Sequence, residues 1–289
     1  MNRPPTPNWR SLLFVPATAE RFVAKAHTRG ADVILLDLED SIPAADKEAA
    51  RAAIPGAART TGQGGAELCV RINRPLELAV PDIAAAVRRD VTALLLPKVM
   101  GPEHVRLMSE VVAVREAALG LPAGHTRFIA VVETAEALPL LPAIAKCDPR
   151  VAAIGVGTED LCTELEAEPG SEALYVFAMQ AVAAARAAGV LPMGSLGAFS
   201  DFSDLDAYRL SLRRSRRLGF ACAACIHPAQ VPIINEEYGP SPAEVERARR
   251  LVAAFDAALA EGKGAVAFDG AMIDLPVAER ARRVLARVR

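Results

Sequence analysis

The chain is poor in aromatic residues and carries almost no net charge. Of its 289 residues, aromatic side chains make up 4%, and 33 Lys and Arg stand against 35 Asp and Glu, which gives a net charge of −2. Proteins that bind nucleic acid usually carry a basic excess, and those that bind single strands stack bases on aromatic rings. We therefore expect no nucleic-acid partner.

Long apolar runs and an export signal are also missing. No run approaches the roughly 18 residues that predict a membrane span, and the opening MNRPPTPNWR lacks the apolar segment of a secretory signal. The five cysteines form no metal-ligand pattern beyond the lone CxxC of Cys222 and Cys225, for which packing in a buried strand is a better interpretation than zinc binding. We expect a cytoplasmic protein with reduced thiols and no membrane partner.

Eight short apolar runs alternate along the chain with longer segments of helical spacing. Most of these runs are continuous rather than alternating, which is typical of parallel strands covered on both faces. The runs are SLLFVPA at 11–17, DVILLDLE at 32–39, ELCVRIN at 67–73, TALLLPKV at 92–99, RFIAVVE at 127–133, VAAIGVG at 151–157, LPMGSL at 191–196 and ACAACIH at 221–227. The pattern predicts a (β/α)₈ TIM barrel over residues 1–236, with a doubly wound open sheet as the alternative.

The C-terminal segment, residues 237–289, lies outside the eight units. Ser241-Pro242-Ala243-Glu244 has the form of a capping box and predicts a helix to about residue 261. A glycine-containing turn, the stretch GAVAFDGAMIDLP and a last helix from about residue 276 follow. We expect this segment to act as a lid or as an arm between subunits.

Polar residues stand at the ends of the predicted strands, where the active sites of α/β barrels lie. Charged groups at the ends of apolar strands must be paired or bind a metal, because burying them alone is costly. The residues at these ends are Asp37, Glu39, Asp40, Arg71, Asn73, Lys98, Glu133, Glu159, Asp160, Ser195 and His227.

Glu133 and Asp160 are the best candidates for metal ligands. Two carboxylates with open positions for water and substrate are typical of Mg²⁺ sites. The alternative is that each side chain only caps a helix. Arg71 could bind a carboxylate or stabilise an enolate, or form an internal salt bridge, and both roles are compatible. For Lys98 an ion pair is favoured over a Schiff base.

Two further features are ambiguous from the residues alone. Gly155 and Gly157 lack the third glycine of a dinucleotide fingerprint, although the backbone N–H groups there could bind a small anion. Asp274 precedes Pro276 and has the position of a helix N-cap.

Several motifs resemble the citrate lyase β-subunit-like family of the HpcH/HpaI aldolase superfamily, which includes malyl-CoA and citramalyl-CoA lyases. They occur in order through almost the whole chain, and together they are highly specific. The motifs are RSLLFVPA, LLDLEDSIPAADKEAAR, VRIN, LLLPKV, VVETAEAL, GTEDL, CIHPAQVPIINEEYGPSPAEVERARRL and GAVAFDGAMIDLPVAERARRVL.

The resemblance implies a Mg²⁺-dependent carbon–carbon lyase that cleaves a 3-hydroxyacyl thioester, carried by CoA or an acyl carrier, into an acyl thioester and a 2-keto acid. It implies the following roles for residues of this chain: Glu133 and Asp160 as Mg²⁺ ligands, Arg71 on the substrate oxygen with Asp37, Glu39 and Asp40 around it, Gly157, Thr158 and Glu159 at the substrate, and Asp274 in proton transfer from the lid of a neighbouring subunit. Family members are usually trimers or hexamers.

The chain departs from many relatives at two places near the expected pocket. It has MGSLGAF at 193–199, where they have an Asp-Gly pair, and Thr158, where they have Pro or Ala. Three other functions are considered: an aldolase acting on free hydroxy-keto acids, a thioesterase, and a non-catalytic partner in a lyase complex. The last is disfavoured by the intact set of acidic residues and arginine.

Overall fold

Eight parallel strands form one sheet in the computed structural model, which describes residues 3–168, 171–196 and 204–288. The strands are β1 Ser11–Pro16, β2 Val33–Asp37, β3 Glu67–Arg71, β4 Ala93–Leu96, β5 Arg127–Val132, β6 Val151–Val156, β7 Leu191–Met193 and β8 Ala223–Cys225. The helices that follow them are α1 Glu20–Ala26, α2 Lys47–Thr61, α3 Leu76–Ala86, α4 Pro102–Ala118, α5 Leu141–Lys146, α6 Thr158–Leu165, α7 Glu172–Ala188, α8 Leu205–Arg217 and α9 Gln230–Tyr238.

The sheet closes on itself. Its hydrogen-bonded order is β7-β6-β5-β4-β3-β2-β1-β8. A parallel bridge between Met193 and Cys222 joins the two ends of this order, and the Gly194 N–H donates to the Cys222 carbonyl at 2.9 Å. The predicted (β/α)₈ barrel is confirmed, and the alternative of an open doubly wound sheet is wrong.

Alternate residues of the strands fill the inside of the barrel. Leu35, Cys69, Ile129 and Ala153 belong to one buried apolar cluster to which all eight strands or their flanking residues contribute. Because side chains along a strand alternate between its two faces, a residue two positions further on continues the same interior row. Three of these rows lead to Asp37, Arg71 and Glu133, so the period of two places these charged side chains at the mouth of the barrel.

Residues 3–10 run across the N-terminal ends of the strands, opposite that mouth. Arg3 donates to the carbonyl groups of Ala145, Asp148 and Val151, and Arg127 donates to the carbonyl of Pro5 at 2.5 Å. In the part of the chain that the structure describes, no helix is both long enough and apolar enough to cross a membrane.

The chain divides into two compact units, Met1–Asn235 and Glu236–Arg289. The second contains α10 Pro242–Ala260, β9 Ala265–Phe268, β10 Ala271–Asp274 and α11 Leu275–Leu285. The predicted capping box is confirmed, since Ser241 Oγ accepts from Glu244 N at 3.2 Å and Glu244 Oε2 accepts from Ser241 N at 2.7 Å. Leu251, Phe255 and Ile273 are part of this unit's own small core.

The last helix begins where the sequence predicts it. Asp274 is its N-cap, and Asp274 Oδ1 accepts from Val277 N at 3.2 Å. The antiparallel pair β9–β10 is a finding of the structure. Its turn consists of Asp269 and Gly270 with φ of 48° and 77°, a left-handed pair suited to two-residue hairpins.

A buried ion pair joins α4 to the residue before β6, at the N-terminal end of that strand. Its loss is expected to destabilise the fold. Arg150 donates to both oxygens of Glu116 at 2.7 Å, with the two side chains 8% and 2% exposed. The same carboxylate accepts from the N–H groups of Gly124 and Thr126. Glu116→Gln leaves Arg150 buried without its counter-charge, so we expect a loss of about 3–5 kcal/mol in the free energy of unfolding, measured with urea. Glu110→Gln, at an exposed site on α4, is the matched control and should change it by less than about 0.5 kcal/mol.

The same pair gives a pH dependence with a defined sign. Burial opposes the charge of Glu116, but the hydrogen bonds from Arg150 and the two backbone N–H groups outweigh burial and hold its pKa below the ordinary value. The stabilisation is therefore complete above the unfolded pKa of about 4.3 and is lost as pH falls through the lower folded pKa. Glu116→Gln should flatten the acid limb of stability against pH, and an unchanged limb would contradict this assignment.

Candidate active site

A cavity of about 670 Å³ opens at the carboxyl ends of the strands, and its wall has two parts. Asp37, Asp40, Arg71, Glu133 and Asp160 form the charged part. The other part is largely apolar and lies between β1, α1 and the segment after β8, and includes Phe14, Phe22, Ala26, Ile226 and Pro228, with Arg29 and His227 beside them.

Arg71 is fixed in the charged part by Asp37. The two residues face each other in the register of β2 and β3. Arg71 Nε donates to Asp37 Oδ1 at 2.6 Å and Nη2 donates to Oδ2 at 2.7 Å, a bidentate pair that sets the plane of the guanidinium. The guanidinium also lies 4.8 Å from the centre of the Phe14 ring. An internal salt bridge is thus present, and Arg71 still lines the cavity.

Asp37 and Glu39, two partners of Arg71, have pKa values that are shifted in opposite directions. Burial opposes the charge of Asp37, but hydrogen bonds from Arg71, Ser41 and the Glu39 N–H prevail and lower its pKa. Arg71 Nη1 lies 2.8 Å from Glu39 Oε2 and 3.2 Å from Asp40 Oδ2. For Glu39, burial and the nearby Asp40 outweigh the cations, and its pKa is raised.

Lys98 contacts an acidic cluster, formed by Glu39, Asp40, Glu133 and Asp160, with both its backbone and its side chain. Its N–H donates to Glu133 Oε2 at 2.6 Å, and its Nζ donates to Glu39 Oε1 at 2.8 Å and lies 3.6 Å from Asp160 Oδ2. Burial opposes the ammonium charge, but the hydrogen bond to Glu39 and the surrounding carboxylates raise the Lys98 pKa. The sequence interpretation of Lys98 as an ion-pair residue is confirmed.

Glu133 follows β5 directly and is partly buried. Its side chain packs against Gly157 so closely that a Cβ at position 157 would displace it, so glycine at this position leaves room for Glu133. Burial raises the Glu133 pKa to about 7, and the charges of Glu39 and Asp160 act in the same direction against the Lys98 hydrogen bond. Gly157 is the N-cap of α6, whose first turn contains Glu159 and Asp160.

The donor set fits a hard divalent cation. Glu133 and Asp160 line one cavity, Asp160 is half-exposed, and the mutual repulsion of these carboxylates would be relieved by a cation between them. Among residues 3–168, 171–196 and 204–288, no three His, Cys, Asp or Glu side chains are grouped to hold a metal. Two carboxylates with further positions open to water and substrate suit Mg²⁺ better than a closed zinc site.

Other residues singled out in the sequence are placed elsewhere. Asn73 is buried and donates to Leu38 O and Asp82 Oδ2, so it supports the fold beside the site. Asp274 lies in the second unit and is exposed. Thr158 lines the cavity, whereas positions 197–199 of the divergent MGSLGAF stretch lie outside the described residues. Cys222 and Cys225 are buried thiols.

Sequence reasoning missed three contributors. Ser41 Oγ donates to Asp37 at 2.5 Å, and it stands in the same LDLED-SIP stretch that drew attention to Asp37. Phe22 reaches the cavity from α1 and Arg29 reaches it from the turn after α1, and no spacing distinguishes either from ordinary surface residues.

Comparisons with known proteins identify the family of this chain. A sequence profile described as HpcH/HpaI aldolase/citrate lyase matches residues 10–228. The chain belongs to the HpcH/HpaI aldolase/citrate lyase family. The lyase predicted from the sequence motifs is confirmed at the level of this family.

Relatives of this aldolase/citrate lyase chain include enzymes with two kinds of name. The citrate lyase subunit beta of Leuconostoc mesenteroides subsp. cremoris is 31% identical over 283 residues, 96% of this chain and 92% of that protein. A (3S)-malyl-CoA thioesterase of Cereibacter sphaeroides is 33% identical over 285 residues, 96% of this chain and 94% of the relative.

Solved structures extend the similarity to the fold. Protein CitE of Mycobacterium tuberculosis, in complex with magnesium, acetoacetate and coenzyme A, is 29% identical with a TM-score of 0.74, covering 96% of this chain and 97% of that one. A citrate lyase of Burkholderia xenovorans has a TM-score of 0.81 at 19% identity, with 96% and 91% covered, and supports the fold alone.

Proposed function

We propose that the protein is a Mg²⁺-dependent lyase that cleaves a 3-hydroxyacyl-CoA thioester reversibly into an acyl-CoA and a 2-oxo acid. The observation that carries this proposal is a fixed arginine, Arg71, facing the same cavity as the carboxylate pair Glu133 and Asp160. The names of two similar M. tuberculosis structures, one with magnesium, acetoacetate and coenzyme A and one with oxaloacetate and magnesium, support the choice of ligands.

Glu133 and Asp160 would hold Mg²⁺, which would supply a Lewis acid and a template for the substrate. Gly157, Thr158 and Glu159 would bind the substrate at the start of α6, where backbone N–H groups favour an anion. Asp37 and Glu39 would act through Arg71 by fixing its plane and its charge.

In the cleavage direction the substrate hydroxyl loses its proton and becomes the carbonyl group of the 2-oxo acid. The electron pair of the breaking carbon–carbon bond moves into the thioester, which becomes an enolate, and a proton then adds to its α carbon. Arg71 would stabilise the enolate charge, because its donors are already oriented before that charge develops. We assign the proton transfer to Asp274 of a neighbouring subunit in a trimer or hexamer.

The apolar part of the cavity would take the thioester arm. Phe22, Ala26, Ile226 and Pro228 offer a surface suited to an uncharged chain, and the exposed Arg29 could pair with a phosphate beyond it. An aldolase for free hydroxy-keto acids has no use for this part, so it favours the thioester.

A hydrolase is the second candidate, because a relative 33% identical is named a (3S)-malyl-CoA thioesterase. The experiment is to incubate the protein and Mg²⁺ with malyl-CoA, citramalyl-CoA, citryl-CoA and free hydroxy-keto acids. The lyase releases a 2-oxo acid and no free thiol. Release of free CoA thiol with intact hydroxy acid supports the thioesterase, and cleavage of free acids alone supports the aldolase.

Arg71→Lys is expected to reduce kcat on the order of 10²–10³-fold, the size of effect seen when one oxyanion donor is removed. Lysine keeps the charge but cannot form the bidentate pair with Asp37 that sets the donor plane. Arg74→Lys, at an exposed residue after the same strand, is the matched control and should change kcat by less than about twofold. A loss below about threefold in Arg71→Lys would assign Arg71 to structure only.

A further inference from the structure

Lys98 has a backbone conformation that side chains rarely adopt. Its φ is 47°, in the left-handed region, and Glu166 and Asp269 are the other two non-glycine residues with positive φ in the described parts of the chain. Such residues concentrate at functional sites, where the surrounding structure enforces the strain. In this conformation the Lys98 N–H donates to Glu133 and the Lys98 side chain donates to Glu39.

The ammonium group of Lys98 stands among several carboxylates. Nζ is 2.8 Å from Glu39 Oε1, 3.4 Å from Asp40 Oδ1 and 3.6 Å from Asp160 Oδ2. The side chain is 30% exposed, so solvent screens these attractions only in part. Arg71 forms its bidentate pair with Asp37. Of the two cations Arg71 and Lys98, it is Lys98 that forms an ion pair with Asp160.

We propose that the Lys98 ammonium group competes with the divalent cation for Asp160 and so lowers the affinity of the substrate-free enzyme for metal. This inference rests on the proposed function, because it takes Glu133 and Asp160 as the metal ligands. Two cations that draw on one carboxylate repel each other, and by linkage each weakens the binding of the other. Lys98 thereby acts through Asp160 and Glu39 and not on the substrate.

The competition has a consequence for the reaction cycle. The free protein offers two carboxylate ligands, and one of them is already shared with an ammonium group. An anionic substrate that contributes its own oxygens adds negative charge beside the metal without adding another cation. Metal retention therefore depends on bound substrate, and the metal remains exchangeable in the empty enzyme.

The test measures metal binding directly, with Mn²⁺ as a paramagnetic probe and the full-length protein without substrate. Lys98→Met keeps the length of the side chain and removes its charge. We expect its Mn²⁺ Kd to fall on the order of tenfold, since one charge at 4–6 Å typically shifts an ionic equilibrium by that much or more. Lys98→Arg keeps the charge and should bind Mn²⁺ like the wild type. Lys98→Gly, which removes the charge and accepts a positive φ, replaces Lys98→Met if that variant does not fold.

Lys146→Met is the control for net charge, because Lys146 is an exposed residue at the end of α5. An equal gain in Mn²⁺ affinity from this variant would attribute the effect to the overall charge and overturn the inference. An unchanged or weaker affinity in a folded Lys98→Met protein would also overturn it while leaving the metal assignment intact. Wild-type protein that binds no Mn²⁺, or binds it equally after Glu133→Gln, would instead remove the metal assignment and this inference with it.

Discussion

Glu133→Gln and Asp160→Asn are each expected to lower kcat/KM by on the order of 10³-fold or more. Mutation of a residue that only supports a metal ligand typically costs about 10–100-fold in metal affinity or activity, so loss of a direct ligand should cost more. Each amide keeps the shape of the side chain and removes its charge. The losses should be largest at limiting Mg²⁺ and should appear as weaker Mn²⁺ binding in the absence of substrate.

Stability separates this effect from damage to the fold. The Glu133 carboxylate is partly buried near two other carboxylates, and burial raises its pKa to about 7. An uncharged amide relieves that repulsion and can still accept from the Lys98 N–H, so the thermal midpoint of Glu133→Gln should stay equal to the wild type or rise. Glu164→Gln, an exposed carboxylate on α6, is the matched control and should remain active. Wild-type rates at limiting Mg²⁺ in either site variant would contradict the metal assignment.

Asp274→Asn is expected to reduce turnover by 10²–10⁴-fold, on the order of a general acid–base contribution. Asparagine keeps the oxygen that accepts from Val277 N, and Asn and Asp are similar as N-caps, so α11 should retain its stability. The amide cannot exchange the proton. Met272, 78% exposed two residues earlier on β10, shares the outward face of the strand with Asp274, as expected for a segment that covers another surface.

Subunit mixing tests whether Asp274 acts across an interface. Asp274→Asn and Glu133→Gln proteins, each inactive alone, are mixed under conditions that allow exchange. With random association, about one head-to-tail interface in four pairs an intact metal site with an intact Asp274, so part of the activity should return. Exchange of subunits is checked separately, for example by native mass spectrometry of tagged subunits. If exchange occurs and no activity returns, Asp274 has a role within its own chain.

The barrel and the charged part of the site follow from short-range pattern. Continuous apolar runs specify buried parallel strands, and the carboxyl ends of parallel strands meet at one edge, so Asp37, Arg71 and Glu133 had to come together. The shortest strands, β7 and β8, have three residues each. The sequence runs that predict them, at 191–196 and 221–227, are longer than the strands themselves.

Other features depend on backbone details or distant contacts that residue patterns do not carry. The left-handed conformation of Lys98 and the close approach of Glu133 to Gly157 result from how the loops after β4, β5 and β6 meet. Phe22 reaches the cavity because of where α1 packs. The β9–β10 hairpin is different, since Asp269-Gly270 between apolar residues is a recognisable turn signal that the sequence interpretation did not use.

The two-part wall of the cavity has a practical consequence for redesign. The charged groups are anchored by strand register, as in the Asp37–Arg71 pair, whereas the apolar part is built from α1 and the segment after β8. Substitutions at Phe22, Ala26 or Ile226 can therefore reshape the proposed thioester space without disturbing the Asp37–Arg71 pair or the proposed metal ligands. If the proposed function holds, directed evolution for new thioesters should collect its changes on that side, and a library confined to those positions should retain the proposed carbon–carbon cleavage in most of its members.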